Sequence, residues 1–141
     1  MKTILTLALL SVALQAQSVT IVNSGSTNTA GFQIVVQESG EAEYRTHPRP
    51  IAIRRGEAPK KIQKTIPKSL VDRLYADVEA AQPLDSLPAR HCVKSASFGT
   101  RTYIDAGGQE SPDLSCGDGG NAKLRALIRD SSQIVEIFRP H

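Results

Sequence analysis

The chain has 141 residues, 40% hydrophobic and 22% charged, with two Cys and no Trp. That length fits one domain, and those fractions exclude full disorder. Two cysteines exclude a four-cysteine zinc site or a dense disulfide scaffold, and a formal net charge of +3 is too small to mark a nucleic-acid binder.

Residues 1–16 place Lys2 before an apolar run from Ile4 to Leu14, followed by the small residues Ala13 and Ala16. This is the layout of a secretory signal peptide, with cleavage expected after Ala16 or Ser18. The apolar run is shorter than the ~20 residues of a spanning helix. No second run of that length follows, so no transmembrane segment is expected in the mature chain. The expectation is a secreted or periplasmic protein whose residues 18–141 form one domain. In an oxidising compartment Cys92 and Cys116, the only cysteines, are expected to join.

Val19, Ile21 and Val22 mark a first strand, and the turn-forming run 23–30 ends it. Phe32, Ile34 and Val36 then alternate with Gln33, Val35 and Gln37, the period of a half-buried strand. Gly40 turns the chain into a return strand over 42–46, completing a hairpin. In 47–60 three prolines and a glycine argue against a central strand, leaving Ile51 and Ile53 to pair briefly at an edge. Residues 61–66 read as an extended lead-in. Leu70, Leu74, Val78 and Ala81 recur at helical spacing, so a helix is expected over 67–82, with Pro67 in its first turn or Ser69 capping it, and Pro83 ending it. A second hairpin is expected to start at Phe98 and turn at Ala106-Gly107-Gly108. Perfect pairing there would not place Cys92 opposite Cys116, so the disulfide should join the hairpin's flanks. Asn121 can cap a last helix over 121–138. Strands in adjacent pairs with intervening helices give an α+β fold, an antiparallel sheet built from two hairpins with two helices packed on one face.

Charge is unevenly placed. Residues 45–64 hold seven Lys and Arg against the single acid Glu57, +6 in one short Pro-containing arm, and the rest of the mature chain is acidic. Arg49, Arg54, Arg55, Lys60, Lys61 and Lys64 are therefore candidates for binding an anionic surface. Nucleic acid is not expected as a partner, because export and the absence of a base-reading motif argue against it.

Chemistry-bearing motifs are sparse. No pair of histidines has metal-ligand spacing, and no nucleophile elbow or P-loop occurs. Gly117 to Ala122 matches a dinucleotide fingerprint but lacks the preceding strand, and 113–118 fails the calcium-loop pattern at Gly117. No cofactor, metal or catalytic residue is expected. A hydrolase would need a site assembled only in three dimensions around 91–116, from Ser95, Ser97, His91 or Asp113.

Three runs, Gly31 to Gly40, Cys92 to Thr100 and Ser111 to Cys116, resemble segments of small exported bacterial proteins classed as domains of unknown function. The resemblance implies export but no activity and no residue role. The expected function is a non-catalytic binding or interaction domain in the bacterial envelope or extracellular space, inhibitor-like action being one form of it. The alternatives are the hydrolase and attachment to an anionic surface through 45–64.

Overall fold

The computed structural model describes residues 17–140, so the expected signal peptide lies outside the described residues. In chain order the elements are β1 (Val19–Asn23), β2 (Gly31–Val36), β3 (Glu41–His47), α1 (Pro50–Arg54), β4 (Lys61–Thr65), α2 (Lys68–Ala81), β5 (Thr102–Ala106), β6 (Gln109–Glu110) and α3 (Ala122–Ile137). The strands form one six-stranded sheet in the order β4-β3-β2-β1-β5-β6, with every neighbouring pair antiparallel. The α+β expectation holds. The first strand is the seam: β1 pairs with the first hairpin on one side and the second on the other.

Register explains the core. Tyr44, Ile34, Ile21 and Ile104 lie in one row across four strands, and Ala42, Val36, Val19 and Ala106 in the next. The three isoleucines are fully buried, each contributing about 1.5–3 kcal/mol of apolar transfer. Over this face pack Val71, Leu74, Val78 and Ala81 of α2 with Leu124, Leu127 and Ile134 of α3. The alternate residues, among them Gln33, Glu43, Arg45 and Gln63, share the opposite, half-exposed or exposed face. That division follows from the two-residue side-chain period of a strand.

Four local expectations need correction. Ile51 and Ile53 do not pair at an edge; they lie on α1 and stay exposed, while Ala52 is buried. Pro50 at the first helical positions presets φ for a helix rather than a strand. Residues 61–65 are not a lead-in but the edge strand β4. Lysines are tolerated there because an edge strand buries neither face, and all five residues are exposed. Ser69 does not cap α2; the helix starts at Lys68 after Pro67, without a side-chain cap. Phe98 does not begin a strand. Residues 96–98 turn, closed by Gly99 N–H on the Ser95 carbonyl at 2.7 Å, and β5 starts only at Thr102. Asn121 does cap α3, accepting from Leu124 N–H at 3.0 Å.

Candidate functional site

Pro112 stops the second hairpin just after the two-residue β6, and the chain bends through a 3-10 turn at Leu114–Cys116. That bend carries Cys116 back to the segment ahead of β5, where it is bonded to Cys92 with Cα atoms 5.5 Å apart. The disulfide joins the hairpin's flanks, as the register required.

A second anchor lies two residues further on. The Lys94 ammonium meets the Asp113 carboxylate, the Ser115 hydroxyl and the Thr100 carbonyl. The Asp113 carboxylate also accepts from Thr102 N–H at 3.1 Å, Ser115 N–H at 3.0 Å and the Ser115 hydroxyl at 2.6 Å. Burial pushes the Asp113 carboxyl up, but Lys94, the Ser115 hydroxyl and the two N–H groups outweigh it and hold the group below its ordinary value. Lys94 and Asp113 are thus fully occupied with one another and with the chain ends they tie together.

Between and beyond these anchors the chain is bare. Residues 88–95 run without helix, strand, turn or bend. Among the described residues, none of the backbone groups of 88–94 bonds to another backbone group. Val93, flanked by Cys92 and Lys94, is fully exposed at 104%, and Phe98 is 67% exposed. The turn bearing Phe98 is held to the loop after β1: Asn28 N–H and the Ser26 hydroxyl both donate to the Ser97 carbonyl, at 3.0 and 2.7 Å.

Beside the clasp opens a cleft of about 860 Å³ whose lining includes Arg90, His91, Lys94, Arg101, Glu110 and Asp113. It gathers two of the four sequence candidates for hydrolysis, His91 and Asp113. The two hydroxyls are not among its lining residues. The Ser95 hydroxyl accepts from Ser97 and Phe98 N–H at 3.3 Å and so caps its own turn. His91 is exposed and forms no side-chain hydrogen bond with any described residue. Arg90 lies over Gly119, whose φ of +57° is the backbone conformation that favours glycine there.

The six cationic candidates divide. Lys61 pairs with Glu43 at 2.9 Å. With Gln63 and Arg45 on the same carboxylate, Lys61 first among them, the Glu43 carboxyl is lowered to about 2. Lys64 donates to the Ile137 carbonyl at 2.6 Å and stands 5.6 Å from the centre of the Phe138 ring. Arg49, Arg54, Arg55 and Lys60 form no ion pair among the described residues. They lie on or beside the excursion from Thr46 to Lys60, whose ends meet through Thr46 N–H on the Lys60 carbonyl at 3.0 Å. The same excursion exposes Ile51 and Ile53, at 41% and 59%.

Sequence reading passed over an acid pair between the helices. Asp130 is fully buried and accepts from Arg73 Nε at 2.8 Å and Arg129 Nε at 2.9 Å, while Arg129 also reaches Asp77 at 2.7 Å. Burial, and then the neighbouring Asp130, raise the Asp77 carboxyl above its ordinary value. No spacing within the chain announces two carboxylates that meet only when α2 packs on α3.

Among the described residues no three His, Cys, Asp or Glu side chains converge to hold a metal ion, and no helix is long and apolar enough to cross a membrane. No protein-family model matches the chain, and a search of curated proteins finds no match.

Proposed function

We propose that the chain is an exported binding domain of the bacterial envelope or extracellular space, without catalysis of its own, that recognises a protein through its clasped segment 88–99. The observation that carries this reading is the contrast within the clasp. Its polar groups are occupied in fixing the backbone, and its apolar side chains Val93 and Phe98 are left outside. Exposed apolar groups on a backbone already fixed lose little entropy on binding, which is the property of an interface anchor. The disulfide supports export, because such bonds persist in oxidising compartments.

The test is retention of partners from the extracellular fraction of the source cells by the immobilised protein. The double variant Val93→Asp/Phe98→Ser should lose retention at least about tenfold. Retention equal to that of the unmodified chain would overturn the reading.

A second reading rests on a different observation. Ile51 and Ile53 are exposed beside Arg54 and Arg55, an apolar tip within a cationic collar. That arrangement fits an anionic lipid surface, where the apolar groups enter the interface and each nearby cation contributes about 1 kcal/mol. Sedimentation with anionic vesicles should fall on Ile51→Ser/Ile53→Ser and on raising salt. Unchanged sedimentation in both would remove it.

A further inference from the structure

Resting on the reading of 88–99 as a recognition segment, we propose that its partner is a secreted serine endopeptidase, and that the segment occupies the enzyme's peptide cleft as a slowly turned-over, substrate-like inhibitor with Val93 in the primary pocket.

Three observations converge on this occupant. The backbone of 88–94 has no backbone partner among the described residues and runs without a bend. A segment whose N–H and C=O groups are left unpaired is what a cleft that binds peptides by strand addition can take up. Val93 is the most exposed of the large apolar side chains, at 104%, so it can enter a pocket without disturbing the core. A branched three-carbon side chain calls for a pocket of modest size lined by apolar groups. The third observation concerns what flanks it. Cys92 is covalently bonded to Cys116, and Lys94 is held by Asp113, Ser115 and Thr100.

Those flanks bear directly on the chemistry. The enzyme's serine oxygen would bond to the Val93 carbonyl carbon, the bond from that carbon to the Lys94 nitrogen would break, and the serine proton would pass to the departing Lys94 amine. In an ordinary substrate the amine then diffuses away and water completes hydrolysis. Here Lys94 is fixed to the body of the domain through its side chain, and the Val93 end is fixed through Cys92. The amine stays beside the acyl carbon at high effective concentration, and its return reforms the peptide bond in competition with water. The anchors that leave Val93 exposed are also the anchors that would make cleavage reversible. Preorganisation of the strand works in the same direction, since little ordering remains for the complex to impose.

The experiment uses the full chain, exported with its own leader and oxidised. Its inhibition of an elastase-type serine endopeptidase is measured on a chromogenic peptide. The expected results are inhibition by the unmodified chain, a loss of about 30-fold or more on Val93→Asp, and newly gained inhibition of a trypsin-type enzyme on Val93→Arg. Val93 touches no core residue, so both variants should keep the fold, and near-ultraviolet circular dichroism checks that they do. Lys94→Met should convert the inhibitor into a substrate cleaved to completion after Val93. Three results would overturn the proposal: no inhibition by the unmodified chain together with no gain on Val93→Arg, inhibition indifferent to Val93→Asp, or rapid complete cleavage of the unmodified chain. Retention of a partner that depends on Val93 but is not a peptidase would end this proposal and leave the binding reading standing. Retention independent of Val93 and Phe98 would end both.

Discussion

The excursions 48–59 and 88–100 are built from similar material and held in different ways. Both run outside the sheet and the two long helices for a dozen or so residues, and both expose apolar side chains, Ile51 and Ile53 on one and Val93 and Phe98 on the other. The first is closed at its neck by Thr46 and Lys60, ordered locally by the backbone hydrogen bonds of α1, and seated by the single buried residue Ala52. The second is tied at separate points by a disulfide, by Lys94 on Asp113, and by Ser97 on the loop after β1. Bonds between neighbouring residues order a backbone locally, whereas ties to distant segments also fix it against the rest of the domain. The difference teaches that exposure alone does not define an interface. Of two exposed apolar tips, only one is tied at several points to distant segments of the domain.

The sharpest way to break this contrast is to cut the covalent tie. Cys92→Ser/Cys116→Ser opens a closure across a sequence separation of 24 residues and should lower stability by about 3–4 kcal/mol, read from urea unfolding. The same measurement on Arg54→Ser/Arg55→Ser should stay within about 0.5 kcal/mol, since both side chains are exposed.

Removing the ionic tie should have the next largest effect. Asp113→Asn leaves Lys94 without its counter-charge and removes acceptor capacity from Thr102 and Ser115, for an expected loss of about 2–3 kcal/mol. Hydrogen exchange at the Thr102 amide should speed up in that variant and stay unchanged in the arginine variant.

Acid sharpens the comparison further. The Asp113 carboxyl sits below its ordinary value in the folded chain. Its contribution is therefore present above about pH 4 and is lost as pH falls through the lower folded value. The Asp77 carboxyl sits above its ordinary value because of burial and Asp130. Its contribution runs the other way, present at acid pH and lost as pH rises through the raised value. Titrating from pH 7 downward should thus loosen the clasp while firming the α2–α3 contact. Asp113→Asn should abolish the first trend and Asp77→Asn the second, both followed by amide exchange.

The smallest effect is expected at the neck-closed excursion. Ile51→Ser/Ile53→Ser should change unfolding free energy by no more than about 0.5 kcal/mol, because neither side chain packs on the core. A larger loss would mean that this excursion is seated more firmly than Ala52 alone allows.

Much of the fold was legible from periodicity. The two-residue alternation from Phe32 to Val36 and the helical spacing from Leu70 to Ala81 each mark one buried face, and the structure buries those faces. The failures were local and share a cause. Residues 61–65 and Phe98 were misread because an edge strand and a tight turn carry little hydrophobic pattern of their own. The clasp was half legible. The disulfide followed from a single pair of cysteines and the expectation of export, but Lys94, Asp113 and Ser115 meet through contacts between residues up to 21 positions apart, and no spacing rule encodes that meeting.

What the sequence determined by itself was the set of elements with strong periods, the capping of α3 by Asn121, the antiparallel α+β class and the pairing of Cys92 with Cys116. These follow from interactions within a turn or two of chain, or from there being one choice only. What the tertiary structure decided was which groups are free. It placed Lys61 on Glu43 and Lys64 on the end of α3, and left Arg54 and Arg55 without an ion pair among the described residues. It also turned the polar groups around Cys92 inward onto one another while leaving Val93 outside. Availability depends on which distant residues arrive nearby, and that is settled by the register of β1 between its two hairpins rather than by any local run of residues.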